Sequence, residues 1–267
     1  MAAPETYEVL AVRYFRRPAT RGEVYLNFRR YGEPDAEIGM DYFLWVISNE
    51  RRTIVVDTGF SAASARRFGR TPSVEPVAAL GRLGVDPARV AQVIATHAHF
   101  DHVGNLREFP SAEVIMAGRE YEFWNSPVAG RSMFAWTADP EDTAELRRIR
   151  AQDRLTLFSS SHCVAPGVDV IEVGGHTPGQ AVVSVATADG PVVLASDALH
   201  YYEELERDWA FGAVADLPQL YRAYDLLREL ASAPGARLVP GHDPLVGARF
   251  PGRGDQKHVV RIGPPGA

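Results

Sequence analysis

The sequence predicts a layered α/β protein built from two sheet-rich halves. Three observations support this. Short apolar, β-branched runs bounded by Gly, Pro, Asp or Asn recur in both halves of the 267 residues. Only a few segments carry the 3.6-residue apolar period of a surface helix. The composition, 46% hydrophobic and 23% charged, is that of a globular chain with a sizeable core, not of a disordered or fibrous one.

In chain order, residues 7–14, 41–48 and 53–57 read as strands. Residues 76–83 read as a helix with Val77, Leu80 and Leu83 as its apolar positions. Residues 90–96 form a buried strand, and 113–116 another. The stretch 119–153 departs from the sheet pattern. It opens Arg-Glu-Tyr-Glu-Phe-Trp, passes Met133, Phe134 and Trp136, and then predicts a helix with Asp139 as cap, Pro140 at the first position and Glu141 and Asp142 in the first turn. Its Arg147, Arg148 and Arg150 suit a solvated face. The aromatic cluster is either ordinary core or a wall or lid over a site, with Met40, Tyr42, Phe43, Trp45, Trp209 and Phe211 as further wall candidates. Residues 168–173, 181–187 and 191–196 supply the strands of the second half. The clearest helix is 216–231, where Asp216 can cap and Leu220, Tyr224, Leu227 and Ala231 share one face. One domain is expected over 1–267, with 119–153 as an insertion or lid.

Charge and cysteine usage narrow the function classes. Twenty-eight basic against 34 acidic residues give a net charge of −6, so no basic surface is expected for a nucleic acid. Cys163 is the only cysteine, which excludes an intrachain disulfide. No run approaches a membrane span of roughly 18 apolar residues, and the first residues lack a basic-then-apolar leader, so a cytoplasmic location and no membrane partner are expected.

The densest chemistry lies at 96–105, Thr-His-Ala-His-Phe-Asp-His-Val-Gly-Asn. Imidazole and carboxylate are ligands for a zinc-like ion. Alternate residues of an extended segment point the same way, so His97 and His99 can chelate one ion. Asp101 and His102 follow a bend and can face a second. His176 in Gly-Gly-His-Thr-Pro-Gly, Asp197 in Ala-Ser-Asp-Ala and His242 in Pro-Gly-His-Asp each follow an apolar run, in turns where a rigid sheet can aim a ligand.

With these residues the chain resembles the metallo-β-lactamase superfamily. The signature His-x-His-x-Asp-His stands at 97–102, followed in family order by His176, Asp197 and His242, with Val-Val-Asp-Thr-Gly at 55–59 resembling the family's first-half strand and turn. The resemblance implies a four-layer αββα sandwich with metals at one edge. It implies that His97, His99 and His176 hold one zinc, that Asp101, His102 and His242 hold another, and that Asp197 bridges them. Metal binding can lower the pKa of water from ~15.7 to about 7, so a bridging hydroxide is the expected nucleophile, with Asp101 as proton shuttle. Asp57 is either a partner for a ligand imidazole or a turn residue before Gly59.

Within the superfamily the chain is most similar to the N-acyl-homoserine lactone lactonases, which quench bacterial signalling. Length, ligand set, His-Phe-Asp-His and the Ser-Asp-Ala turn agree. The implied activity is hydrolysis of a small lactone by two zinc ions. The chain departs from that group where its members carry a Tyr three residues after the bridging Asp. His200 stands there, followed by Tyr201 and Tyr202. The imidazole can replace the phenol as a donor to the substrate carbonyl, or a shift of one residue can bring Tyr201 into place. Other readings of the same fold are thioester cleavage of the glyoxalase II kind, β-lactam hydrolysis and metal-dependent ligand binding without catalysis. Only 25 residues follow His242, too few for the helical glutathione-binding region of the glyoxalase II group. The zinc β-lactamases carry Cys where Asp197 stands. The complete ligand set argues against loss of catalysis.

Overall fold

Among the described residues thirteen strands pair into two sheets, and the reason lies in which face of each strand is apolar. The structure, a computed structural model, describes residues 5–254 and 256–264. In chain order the strands are β1 (Glu8–Arg17), β2 (Met40–Ser48), β3 (Thr53–Val56), β4 (Gln92–Ile94), β5 (Glu113–Ala117), β6 (Leu155–Phe158), β7 (Ser161–Ala165), β8 (Val168–Glu172), β9 (Ala181–Thr187), β10 (Gly190–Ser196), β11 (Arg237–Pro240), β12 (Gly252–Arg253) and β13 (Gln256–Gly263). The first sheet runs β12-β13-β1-β2-β3-β4-β5-β6, and the second runs β11-β10-β9-β8-β7. Strands β3 to β6 are parallel, as are β10 and β11, and the other pairs are antiparallel.

The period-2 alternation of side chains divides the interior into three apolar layers. Val9, Ala11, Phe43, Trp45, Ile54, Val56 and Ile94 point from the first sheet toward Val168, Val170, Val183 and Leu194 of the second. The opposite face of the first sheet, with Leu10, Val12, Leu44, Val46 and Val93, is covered by Leu80 of the helix Pro76–Arg82 and by Leu146 and Ile149 of the helix Pro140–Ala151. The opposite face of the second sheet, with Val182, Val193 and Ala195, is covered by Leu220, Tyr224 and Leu227 of the helix Leu217–Ala231. Helix, sheet, sheet and helix are the four layers of the expected αββα sandwich.

The expected strands form with shifted ends, and both capped helices form as read. Asp139 accepts from the Glu141 N–H and Asp216 from the Gln219 N–H. Expected strand 90–96 shortens to β4 because the Thr96 N–H leaves the ladder and donates to the Asp57 carboxylate at 2.9 Å. Strands β6, β7 and β13 and the helix Gly118–Trp124 were not expected. Of the wall candidates in β2, Phe43 and Trp45 face the layer between the sheets, because alternation turns only Met40 and Tyr42 the other way. Trp209 packs on Tyr25, Phe28 and Tyr31.

One close approach fixes the loop after β4. The helix Phe100–Val103 ends at Gly104, whose N–H donates to the Gly59 carbonyl at 3.0 Å. A β-carbon on Gly104 would lie 2.5 Å from the Ser61 nitrogen and 2.8 Å from the Gly59 oxygen, which are backbone atoms held in place. Asn105 clamps the same turn, its side-chain amide donating to the Thr58 and Phe60 carbonyls at 2.8 and 3.0 Å. Gly104→Ala is expected to lower the unfolding free energy by about 1–3 kcal/mol. Urea denaturation checks it, and unchanged stability would show that the 58–61 turn yields freely.

Candidate metal centre

The site is built where strand ends leave the sheets. Asp57 follows β3, the 97–102 segment follows β4, His176 follows β8, Asp197 follows β10 and His242 follows β11. All seven predicted ligands are buried, and they gather in two groups. His97, His99, His176 and Asp197 form one, and Asp101, His102 and His242 the other, with ligand atoms within 4.8 Å of one another in each.

Asp197 joins the groups. Its Oδ2 lies 3.3 Å from His176 Nε2 and 3.8 Å from His97 Nε2, while its Oδ1 lies 3.3 Å from His102 Nε2 and 3.2 Å from His242 Nε2. Oδ2 thus faces the first group and Oδ1 the second, with His242 Nε2 also 3.3 Å from Oδ2. Gly241 permits this, since a β-carbon there would meet Asp197 Oδ1 at 2.7 Å and the Ser196 carbonyl carbon at 2.8 Å.

The far nitrogens of the rings are held. His102 Nδ1 donates to Asp57 Oδ2 at 2.7 Å, His176 Nδ1 to the Ala213 carbonyl at 2.7 Å and His242 Nδ1 to the Asp41 carbonyl at 2.7 Å. A carbonyl oxygen only accepts, so in the neutral rings of His176 and His242 the proton sits on Nδ1 and the Nε2 lone pair is free for a metal. Asp57 also accepts from Thr96 Oγ1 at 2.8 Å, and Thr96 Oγ1 lies 3.2 Å from His97 Nδ1. Of its two readings, Asp57 has the imidazole partner. His99 differs, presenting Nδ1 to His176 Nε2 at 3.0 Å and the edge of its ring to Trp124.

These residues fit bound cations. His97 Nε2, His102 Nε2 and Asp197 Oδ1 are buried without a hydrogen-bond partner among the described residues, although they face one another. Such orphaned atoms are costly unless something charged satisfies them. Burial and neighbouring imidazoles hold His97 well below its ordinary pKa, and burial brings His176 down to about 3, so both are neutral at pH 7. Burial opposes charge on His102 too, but Asp197, Asp101 and Asp57 outweigh it and push its pKa well up. Burial raises the pKa of Asp101, against the pull of His102 and His242. The carboxylates around His102 therefore draw a proton where a metal ion would supply positive charge.

His200 and Tyr201 take opposite directions. His200 is 1% exposed and stacks on Phe211 with ring centroids 3.5 Å apart. Its Nε2 lies 3.1 Å from Asp197 Oδ2, and its Nδ1 lies 3.6 Å from Glu204 Oε1. Burial works against a charge here, yet the two carboxylates overcome it and raise the pKa to about 9. Its Nε2 thus sits beside Asp197, but neither ring nitrogen makes a hydrogen bond among the described residues. Tyr201 starts the helix Tyr202–Arg207 as its cap, and its hydroxyl donates to the Gly39 carbonyl at 2.9 Å. Its ring lines a neighbouring cavity with Arg21, Tyr25 and Leu245, so the one-residue shift that would place it over the ligands is not made.

A cavity of about 110 Å³ opens over the ligands, walled by Met40, Tyr42, Phe100, Trp136, Thr137 and Phe211 together with Arg17 and Arg70. Tyr42 sets its edge on His242 and accepts from Arg17 Nε at 3.3 Å. From the 119–153 stretch, Trp136 and Thr137 reach this wall, while Phe134 packs on Phe123.

Sequence reasoning passed over Glu120. This fully buried carboxylate accepts from the Ala98 N–H at 2.9 Å, the Gly179 N–H at 2.9 Å and Trp124 Nε1 at 2.7 Å. It ties the loop carrying His97 and His99 to the loop carrying His176. Burial raises its pKa while these donors favour its charged form. Nothing in its local sequence marks it, because its partners are backbone groups distant in the chain. Tyr14 gives similar support, its hydroxyl donating to the Asp101 carbonyl at 2.8 Å.

With this geometry in view, the comparison with known proteins is direct. The model of the metallo-β-lactamase superfamily matches residues 40–242, and the chain belongs to that superfamily. Among curated relatives, the N-acyl homoserine lactonase AttM of Azorhizobium caulinodans is 31% identical over 180 residues, 63% of this chain and 64% of that one. The chain thus spans a little under two thirds of that relative's length. Among solved structures, an N-acyl homoserine lactone hydrolase with N-hexanoyl-L-homoserine at its catalytic metal centre superposes with a TM-score of 0.75 at 20% identity, covering 93% of this chain and 98% of that one. The dizinc quorum-quenching lactonase AidC superposes with a TM-score of 0.69 at 20% identity, covering 91% and 89%. Both likenesses establish the fold.

Glu120→Gln tests the buried tie. The amide places an NH₂ where backbone N–H groups already point, so at least one donor loses its acceptor. Metal retention, measured by equilibrium competition with a chelator, is expected to weaken by about 10–100-fold. Retention equal to wild type would show that the loops hold their places without Glu120.

Proposed function

We propose that the chain is a dinuclear zinc hydrolase that opens the ring of a lactone, an N-acyl homoserine lactone or a related small lactone. The observation that carries this reading is Asp197, with one carboxylate oxygen against each of two complete ligand groups. The relatives support the substrate class: AttM is named for lactone hydrolysis, and the solved neighbour holds a homoserine product at its metal centre. The dizinc neighbour supports two zinc ions.

In this reading His97, His99 and His176 hold one ion, Asp101, His102 and His242 the other, and Asp197 both. Bound there, such ions supply Lewis-acid polarisation of the carbonyl and acidify water near neutral pH. The side chains do the rest. Asp101, buried at the cavity floor with its Oδ2 3.7 Å from His102 Nε2, takes the proton from the attacking water and returns it to the ring oxygen as the carbon–oxygen bond breaks. Water and lactone become a hydroxy acid. His200 stands beside the shared carboxylate, its Nε2 3.1 Å from Asp197 Oδ2. The aromatic and apolar wall of Met40, Tyr42, Phe100, Trp136 and Phe211 excludes bulk water and packs the substrate. The 119–153 segment acts as a lid through Trp136 and Thr137.

Two measurements test this. Elemental analysis of protein purified without chelator is expected to give two zinc-like ions per chain, and a stoichiometry near one with full activity refutes the dinuclear reading. Asp101→Asn is expected to lower kcat for lactone hydrolysis at least ~100-fold. A pH-stat assay alongside metal analysis reads it, and wild-type turnover at full metal loading would remove Asp101 from proton transfer.

A further inference from the structure

The cavity over the ligands holds a charge that neither its fold nor its ligand groups use. Arg70 lines it, and the guanidinium forms no ion pair or hydrogen bond among the described residues. Its Nε is buried without a partner. A buried, unpartnered donor on a permanent cation is costly, and a cavity wall is where a ligand can offset that cost. Arg17 lies on the same cavity, but its charge is committed. It donates to Glu23 Oε1 at 2.6 Å, to the Pro18 carbonyl at 3.0 Å and to the Tyr42 hydroxyl at 3.3 Å. In accepting from Arg17, Tyr42 keeps its own O–H, and that proton has no acceptor among the described residues. The wall thus offers a free guanidinium and a free hydroxyl donor. The carboxylates of the cavity, Asp101 and Asp197, both belong to the ligand groups.

We infer that Arg70, with the Tyr42 hydroxyl, forms an anion subsite in the active cavity, and that the substrate is a small lactone carrying a carboxylate. This rests on the lactonase reading and narrows it. An uncharged acyl tail would leave the guanidinium unpaired, whereas a carboxylate matches its planar fork and accepts the phenol proton. The small volume of the cavity, about 110 Å³, places the carboxylate close to the ring that opens.

The test uses metal-loaded protein and matched pairs of lactones, γ-carboxy-γ-butyrolactone against its methyl ester and N-glutaryl homoserine lactone against its methyl ester. The acid of at least one pair is expected to show a kcat/KM at least tenfold above its ester. In Arg70→Met the fall for that acid is expected to exceed the fall for its ester at least tenfold, mostly through KM, and Arg70→Lys should recover part of it. Added salt should weaken the acid and not the ester. Equal rates for acid and ester in both pairs, or equal losses in Arg70→Met, overturn the subsite and leave lactone hydrolysis standing. If no lactone is opened, the lactonase reading falls and binding decides the subsite. Glutarate, but not dimethyl glutarate, should then saturably change the fluorescence of Trp136 in the wild type and bind at least tenfold more weakly to Arg70→Met. Equal binding to wild type and variant overturns the subsite.

Discussion

Everything at the ligand edge depends on the shared carboxylate of Asp197. A single side chain faces two groups of imidazoles only if the strand ends that carry those groups stop within a few ångströms of one another. Asp197 leaves β10 and His242 leaves β11, neighbours in one sheet, while Asp57 and the His97–His102 segment leave β3 and β4 of the other. The two sheets are held in this relation by the apolar layer between them, where Ile54, Val56 and Ile94 oppose Val168, Val183 and Leu194. Burial of side chains of this kind contributes on the order of 1.5–3 kcal/mol each. The site is therefore a product of sheet packing, and a core substitution that rotated one sheet on the other would separate the two oxygens of Asp197 from one of their groups.

The polar groups beneath the ligands are the counterpart of that packing. Asp57 sits at φ +58°, a left-handed conformation that Asp tolerates better than most residues. The strain is offset by hydrogen bonds to Thr96 N, Thr96 Oγ1 and His102 Nδ1, each within 3.0 Å. These bonds close the gap between β3 and β4 that opens where Thr96 leaves the ladder. Glu120 does the same between the first ligand loop and the loop of His176. Two buried carboxylates thus replace the backbone pairing that the sheet gives up in order to present ligands.

This division explains what could be read from the sequence. The ligands were legible because metal binding demands particular side chains, and His97, His99, Asp101 and His102 crowd into one turn. The strands that carry them were legible because burial on both faces selects β-branched residues. Of the supports only Asp57 was named from the sequence; the others were not legible, because the Ala213 and Asp41 carbonyls that orient His176 and His242 are backbone atoms available at any residue. Strand β13 escaped notice for a related reason. It opens Gln-Lys-His, and only Val259, Val260 and Ile262 with Gly263 are buried, so its identity comes from pairing with β1. The aromatic wall was half legible. Met40 and Tyr42 differ from Phe43 and Trp45 only in parity along β2, and parity points to a site only once the sheet's two neighbours are known.

The same logic bears on the 119–153 stretch. Its base is fixed: Glu120 and Trp124 tie it to the ligand loops, the Thr137 carbonyl accepts from the Phe100 N–H at 3.0 Å, and Asp139 accepts from Ser64 Oγ at 3.0 Å. Its tip is open, with Val128, Met133 and Trp136 exposed at 51%, 63% and 58%. Trp136 reaches the cavity from this exposed tip, whereas Arg70 and Tyr42 reach it from other segments. A wall built this way separates two tasks. The groups that set ligand geometry are buried and over-determined by hydrogen bonds, while Trp136 lines the cavity from an exposed tip where a change of side chain disturbs neither sheet. Divergence in what such a cavity accepts therefore needs no change in the carboxylates that hold its ligands.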